Sequence, residues 1–203
     1  MLHLIIIFVS FACLIGLNVL FCYFIGLGAL YGFLASLIGV LAVVLIDGIV
    51  AFLSHKLPKK IINPFSKMFA VSKAERHFYE KLKIKKWKDK LLDLGFLCGF
   101  RKNKILNPTD KNYILRYLNE CVYGEICHIV SIFCSIGVFF IFGSKFLLSL
   151  SLPLFLVNAL LNIMPTFALR YNRSKLIVLY KKLERDEEKD FQKNCCEGIK
   201  TSC

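Results

Sequence analysis

The chain lacks the short motifs that identify many soluble enzymes. It has no G-x-S-x-G nucleophile elbow and no Walker phosphate-binding loop. The His-x4-Asp signature of glycerolipid acyltransferases is also missing, because no Asp follows four or five residues after any of the four histidines, His3, His55, His77 and His128. No two of the nine cysteines form a CxxC pair, and their odd number favours reduced thiols over a disulfide framework. These absences argue against hydrolases of the elbow type, P-loop NTPases and disulfide-rich secreted domains.

Acidic residues are scarce, and the basic surplus is concentrated in one segment. The chain has 27 Lys and Arg against 14 Asp and Glu, a net charge of +13. Residues 54–118 alone hold 17 basic and 5 acidic residues, and residues after 169 hold 9 and 6. The positive-inside rule therefore predicts that the central segment and both termini are cytoplasmic. Anionic lipid headgroups are the nearest counter-charge for such a segment, so we expect membrane lipids and not nucleic acid as partners.

Long apolar runs set the fold class. The composition is 57% hydrophobic, with 19 Phe and a mean hydropathy of +0.61. Two blocks, Leu4 to Leu53 and Ile126 to Leu169, are each too long for one span of about 20 residues, and they divide at Gly26-Leu27-Gly28 and at Gly143-Ser144-Lys145. We predict an all-α integral membrane protein with four transmembrane helices in two hairpins. The expected units are residues 1–53, a basic amphipathic cytoplasmic or interfacial segment at 54–118, a second hairpin at 119–169 and a tail at 170–203.

The central segment predicts helices that lie at the membrane surface. Phe78 and Leu82 are four residues apart among charged neighbours from Lys73 onwards, which favours a short amphipathic helix. The only Trp, Trp87, follows between lysines, a pattern typical of a helix at headgroup depth. The same basic residues would also draw an anionic, phosphate-bearing donor toward a site that includes Trp87.

The third predicted helix begins with a polar face. On a helical wheel Glu120, Glu125 and His128 share one side, since Glu125 and His128 lie about 60° apart and Glu120 about 80° beyond His128. A carboxylate can orient a histidine so that the ring acts as a general base toward a hydroxyl. Two carboxylates and one His form too small a set for zinc, so no metal is expected. An interhelical clamp to Arg170 and Arg173 is the structural alternative.

The end of the last apolar run carries a second polar group. Asn158 and Asn162 lie inside it, and Pro165 and the run Arg170-Tyr171-Asn172-Arg173 follow. Buried polar groups in lipid are costly unless they are paired, which points to a bound polar ligand. Arginines at a span end also anchor helices at phosphate headgroups, which is the competing interpretation.

Taken in order, these motifs resemble the family of glycosyl-4,4'-diaponeurosporenoate acyltransferases. The resemblance runs from about Lys56 to Lys182 and is carried by Asn63-Pro64-Phe65, Glu75 to Tyr79, Ile84 to Asp89, Glu120 to His128, Asn158, Asn162, Pro165 and Arg170 to Arg173. The sequence departs from the family pattern at Leu92, Leu169 and Ser174-Lys175. These departures bear on the identity of the substrate more than on the site residues. The resemblance implies transfer of a fatty acyl group to a sugar hydroxyl of a glycosylated carotenoid.

The polar face of the third predicted helix and the family resemblance together predict the roles of the site residues. His128 would be the general base and Glu125 or Glu120 would orient it. Arg170 and Arg173 would hold the donor's anionic part or the oxyanion, and Asn162 and Asn172 would supply hydrogen bonds.

An acyl thioester, such as acyl-CoA or acyl carrier protein, would be the donor, and a glycosylated carotenoid or membrane glycolipid the acceptor. No cofactor beyond the donor is expected, and a homo-oligomer is compatible with the sequence. The alternative is a non-catalytic lipid-binding or scaffold protein whose polar residues form a buried salt-bridge network.

Overall fold

The computed structural model describes residues 2–58, 60–91 and 105–200, and every regular element among them is helical. The α-helices in chain order are α1 (Leu2–Phe24), α2 (Ala29–Ser54), α3 (Lys73–Lys81), α4 (Ile84–Trp87), α5 (Lys111–Cys134), α6 (Val138–Phe142) and α7 (Leu152–Lys200). Part of the predicted interfacial segment, including Leu92, lies outside the described residues.

Four segments of the described chain are long and apolar enough to cross a membrane: Ile5–Phe24, Ala29–Ser54, Lys111–Phe142 and Ser144–Gln192. Many of their large apolar side chains point outward, as Phe8 at 76% and Phe140 at 86% exposed illustrate. Outward apolar side chains are what a bilayer solvates. The predicted all-α fold with four membrane-spanning helices is confirmed.

The first two helices pack closely because small residues line their contact. A Cβ added at Gly32 would lie 2.9 Å from the Asn18 carbonyl oxygen, so the backbones touch here. Asn18 Nδ2 donates to the Gly32 carbonyl and to Ser36 Oγ, both at 3.0 Å. Close backbone approach with a few interhelical hydrogen bonds is the usual way in which helices associate in lipid.

Helix α5 begins eight residues before the predicted start of the second hairpin. Asp110 caps it by accepting hydrogen bonds from the backbone N–H groups of Asn112 and Tyr113 at 2.9 and 3.1 Å. This first part of α5 is amphipathic and buries Ile114 and Leu118 against α7. The predicted hairpin, which begins at residue 119, leaves this part out because only one face of it is apolar.

Helix α7 continues far beyond the predicted end of the last span at residue 169. It contains Pro165 and runs to Lys200, so the predicted tail begins as helix. The reason is tertiary: beyond the span, Leu176, Tyr180 and Leu183 pack on α5 at helical spacing.

The predicted amphipathic helix of the central segment is present as α3, which Ser72 caps through a 3.1 Å bond from the Glu75 backbone N–H. Tyr79 of α3 and Ile84 of α4 are buried against Ala168 and Tyr171 of α7. The segment therefore packs on the long helix and brings its polar residues next to α5 and α7.

Candidate functional site

Polar side chains that are buried or half-buried come from four helices and meet in two neighbouring groups. The first, which we call the ion-pair cluster, consists of Glu75, Tyr79, Glu125, Arg170 and Arg173. The second, which we call the amide–histidine cluster, consists of Asp47, His128, Asn158 and Asn162. Both groups include residues of α5 and α7, so one helix pair positions most of the site.

Arg170 is the centre of the ion-pair cluster. Its Nη2 donates to Glu75 Oε2 at 3.0 Å and its Nε also binds the Glu75 carboxylate, a two-point contact that joins α7 to α3. Its Nη1 donates to Glu125 Oε1 at 2.6 Å, which adds α5. Tyr79 donates its hydroxyl to Glu75 and accepts from Arg170 Nε at 3.2 Å. One guanidinium thus links three helices.

Arg173 and Glu125 form the fully buried part of the cluster. Neither side chain is exposed, and Arg173 Nη2 donates to Glu125 Oε1 at 3.1 Å. The Phe69 ring lies 5.6 Å from the guanidinium carbon. Arg173 Nε and Nη1 have no hydrogen-bond partner among the described residues. With two arginines and two glutamates the cluster is neutral overall, yet it retains two unused buried donors.

The charge state of Glu75 follows from its contacts. Burial by itself raises the pKa of this carboxyl, but hydrogen bonds from Arg170 and Tyr79 together with the Arg170 charge lower it, so the pKa lies below its ordinary value. Burial and the hydrogen bond to Glu75 raise the pKa of Tyr79. Glu75 is therefore a carboxylate and Tyr79 a neutral phenol at neutral pH.

The amide–histidine cluster contains the only predicted base. His128 Nδ1 lies 2.8 Å from Asn162 Oδ1. Asn162 Nδ2 is surrounded by acceptors: the Asn158 carbonyl oxygen at 3.0 Å, Asn158 Oδ1 at 3.1 Å and Asp47 Oδ2 at 3.3 Å. The amide oxygen thus faces the imidazole and can only accept, so His128 Nδ1 carries a proton and donates. In the neutral ring the lone pair is then on Nε2.

Two further polar atoms in this cluster have unused hydrogen-bonding capacity. Asp47 Oδ1 and Asn158 Nδ2 are buried and have no partner among the described residues. One is an acceptor and the other a donor, so a hydroxyl group or a water molecule could satisfy both.

Of the two arrangements that the sequence left open for Glu125, the structure shows the clamp to Arg170 and Arg173. Glu125 and His128 share α5, but the bonds recorded for Glu125 go to Arg170 and Arg173, and the bond recorded for His128 goes to Asn162. The clamp joins α5 to α7 through Glu125. Glu120 is half-buried on α5, and its role as an orienting group stays a prediction.

Trp87 and Asn172 lie outside both clusters. Trp87 Nε1 donates to the Leu82 carbonyl oxygen at 3.0 Å, and its ring is partly buried against the apolar cluster that contains Tyr79 and Tyr171. Asn172 is half-buried on α7 next to Arg173. Their assignment to substrate binding also stays a prediction.

Sequence reasoning missed Asp47, Glu75 and Tyr79 as site residues. Asp47 was detectable, because it is the one charged residue within the first apolar block, and an ionisable residue inside a membrane span is a functional candidate by default. Glu75 and Tyr79 carry no such signal, since charged and aromatic residues are ordinary on an amphipathic surface helix. Among the described residues no group of three or more His, Cys, Asp or Glu is arranged to hold a metal ion.

Comparison with known proteins gives one result. The family model described as glycosyl-4,4'-diaponeurosporenoate acyltransferase matches residues 58–182. No curated protein and no solved structure matches the chain. The matched range holds α3, α4, α5, α6 and most of the polar residues described above, but it does not include Asp47.

Proposed function

The chain belongs to the glycosyl-4,4'-diaponeurosporenoate acyltransferase family, and from this membership we propose that it transfers a fatty acyl group from a thioester donor to a hydroxyl of a membrane glycolipid or glycosylated carotenoid. The family is one of acyltransferases of carotenoid biosynthesis. The four apolar helices support a reaction at a membrane, where such an acceptor resides. The choice of acceptor within this class is part of the proposal.

The observation that carries the proposal is the orientation of His128. Because Nδ1 donates to Asn162, Nε2 carries the lone pair that a general base needs. In the proposed reaction Nε2 takes the proton of the acceptor hydroxyl while the hydroxyl oxygen attacks the thioester carbonyl carbon. The tetrahedral intermediate then collapses, the C–S bond breaks, and the thiolate leaves with the proton returned by the imidazolium. The products are an ester and a free thiol.

Arg173 is the best candidate for stabilising the negative charge that develops on the carbonyl oxygen. It is a buried cation with two nitrogen donors that have no partner among the described residues, and such donors are worth most where water is excluded. Arg170, by contrast, uses Nε, Nη1 and Nη2 on two carboxylates. We propose that Arg170 holds α3 in place and contributes its charge, and that Glu125 positions both arginines.

The donor is proposed to approach from the cytoplasmic side. The central segment carries most of the basic surplus, and α3 and α4 pack against the helix that bears Arg170 and Arg173. Positive charge next to the site would concentrate an anionic donor such as acyl-CoA or acyl carrier protein. This assignment requires the termini and the central segment to be cytoplasmic, as the charge distribution predicts.

Lipid mass spectrometry on cells supplied with candidate acceptors tests the function. Cells expressing the wild type should accumulate a lipid heavier by one acyl chain, and cells with His128→Ala at equal protein level should lack it. His77→Ala is the matched control, because His77 is exposed on α3 and should leave the product unchanged. An acylated product that persists in His128→Ala would show that His128 is not the base.

A second candidate function, a non-catalytic scaffold, is favoured by the neutral balance of the ion-pair cluster, which is what a purely structural clamp would have. It predicts identical lipid profiles for wild type, His128→Ala and empty cells. It also predicts that Glu125→Gln lowers the amount of protein in the membrane without any change in lipid composition.

A further inference from the structure

Asn162 joins a histidine of one helix to a carboxylate of another. Its oxygen faces His128 Nδ1 at 2.8 Å, and its amide nitrogen faces Asp47 Oδ2 at 3.3 Å. Asn162 is 6% exposed, so solvent does not replace these contacts. A continuous series of polar contacts therefore runs from the His128 imidazole on α5 through the Asn162 amide on α7 to the Asp47 carboxylate on α2.

An asparagine amide selects between the two neutral forms of a neighbouring histidine. With its oxygen toward the ring, the amide requires a proton on Nδ1. If the amide turned by 180°, its NH2 group would face the ring, and the proton would have to reside on Nε2, which would remove the lone pair from the atom proposed as the base. Whatever fixes the amide therefore fixes the proton on His128.

Three acceptors hold the amide in the observed orientation, and they differ in origin. The backbone and side-chain oxygens of Asn158 come from the preceding turn of α7 itself. Asp47 comes from α2, a helix outside the residues that the family comparison matches. Its carboxylate can accept but never donate when ionised, so it opposes the flipped amide, in which an oxygen would face an oxygen.

We propose that Asn162 is a positioning residue that fixes the protonated nitrogen of His128, and that Asp47 of the first helix pair completes this device by holding the Asn162 amide. The inference rests on the proposed function only for the use of Nε2 as base. The placement of the proton is a property of the folded protein without substrate. It also gives α2 a part in the site that membership of the family does not assign.

The test is nitrogen NMR of the full-length protein, labelled with 15N-histidine and placed in lipid nanodiscs, because the two ring nitrogens report directly which of them is protonated. His128→Gln identifies the His128 signals among those of the four histidines. We expect the wild type to show the neutral form with the proton on Nδ1. Asn162→Leu should convert His128 to the form protonated on Nε2, or to a mixture, and Asp47→Leu should shift it in the same direction to a smaller extent.

An exchange of the two side chains is the sharpest control. In the double variant Asp47→Asn with Asn162→Asp, the carboxylate at 162 accepts from His128 and the amide at 47 donates to that carboxylate, so the same chain of hydrogen bonds is possible. We expect the Nδ1-protonated form to return in the double variant, whereas Asn162→Asp alone would place two carboxylates in contact. Asn172→Leu, on the same helix but outside the cluster, should leave the His128 signals unchanged.

The outcomes separate this proposal from the proposed function. A wild type protonated on Nε2, or an Asn162→Leu variant that keeps the Nδ1 signal, would overturn the role of Asn162. An Asp47→Leu variant identical to wild type would overturn the role of Asp47. If Asn162→Leu fails to accumulate, the spectra of the wild type and of Asp47→Leu still decide both roles. If His128→Ala retains acyl transfer, the base is wrong but the positioning holds. If both proposals hold, Asn162→Leu should lower acyl transfer about 100-fold, the usual cost of a misplaced catalytic group, and the exchange variant should recover part of it.

Discussion

Arg173 Nη2 donates a 3.1 Å hydrogen bond to Glu125 Oε1, and neither side chain has any exposed surface. A buried arginine and a buried glutamate each lose several kcal/mol of hydration, on the order of the energy that their mutual attraction returns. The pair is therefore not a source of large net stability. Its physical importance is that removal of either partner leaves the other as a buried charge without this counter-charge, which destabilises the fold.

Removal of Glu125 should destabilise the protein strongly. Glu125→Gln leaves Arg173 as a buried charge without its carboxylate, and breaking a buried pair in this way costs about 3–5 kcal/mol. Thermal unfolding in detergent and the amount of protein in the membrane measure the effect. Glu188→Gln, an exposed position on α7, is the control and should unfold like the wild type.

The double variant Glu125→Leu with Arg173→Leu should be less destabilised than Glu125→Gln alone. It removes both buried charges, and Arg170 retains Glu75 as its partner. A double variant that unfolds at a lower temperature than the single one would contradict this account of the cluster.

The contact of Glu75 with Arg170 should control the docking of α3. Glu75→Gln removes the charge that Arg170 binds at two points, so deuterium uptake over Lys73–Lys81 should rise. Glu80→Gln on the same helix is exposed and should leave the uptake unchanged. Equal uptake in wild type and Glu75→Gln would show that apolar packing alone docks the helix.

The docking of α3 should also depend on pH in a defined direction. The pKa of Glu75 in the folded protein lies below its ordinary value of 4.5, so the carboxylate stabilises the fold at every pH above about 4.5. As the pH falls below that value, the unfolded chain takes up the proton more readily than the folded one, and the contribution is lost. The difference in deuterium uptake between wild type and Glu75→Gln should therefore be constant near neutral pH and shrink in acid.

Close packing of the first helix pair should make Gly32 intolerant of a side chain. A methyl group at Gly32 would lie 2.9 Å from Asn18 oxygen, Cys22 Cβ and Val19 Cα, and relief of such overpacking costs about 1–3 kcal/mol. Gly32→Ala should therefore lower the unfolding temperature. Gly48→Ala is the matched control on the same helix, since a Cβ there meets nothing within 4 Å. Equal effects of the two substitutions would contradict the close approach of α1 and α2.

Trp87 gives a direct measure of the depth of the central segment, because it is the only Trp in the chain. Its ring is partly buried against the apolar cluster that contains Tyr171, and Trp87 Nε1 donates a hydrogen bond within the segment, to the Leu82 carbonyl oxygen. An indole at the interface should be quenched strongly by lipids brominated near the headgroup and weakly by lipids brominated at the chain end. Quenching only by a soluble agent such as iodide would show that α4 lies in water away from the bilayer.

Prediction from the sequence succeeded where a single residue property determines the local structure. Long apolar runs predict spans directly, because about 20 apolar residues cross the hydrocarbon core whatever their neighbours are. The glycines between the first two helices predict the turn, and the structure has Gly26 and Gly28 there with φ of 80° and 86°. The amphipathic period near Phe78 predicts α3 for the same reason, since a helix fixes which side chains share a face.

The same reasoning left a choice open where partners are distant in the sequence. The wheel allowed Glu125 either to orient His128 or to form a clamp with two arginines 45 and 48 residues later in the chain, and the structure shows the bonds to the arginines. The end of the apolar run suggested the end of the last helix, but packing on the early part of α5 keeps α7 helical to Lys200. Neither partner can be read from a local pattern.

What the sequence by itself determined is the class of this protein: a helical membrane protein with polar groups held at the ends of two spans, because the length of an apolar run decides whether it can cross the hydrocarbon core. The tertiary structure alone decided which groups are partners. It assigned Glu75 and Glu125 to the arginines, and Asn162 with Asp47 to His128, because hydrogen bonds act over about 3 Å and only the packed helices bring residues 47, 128 and 162 within that distance.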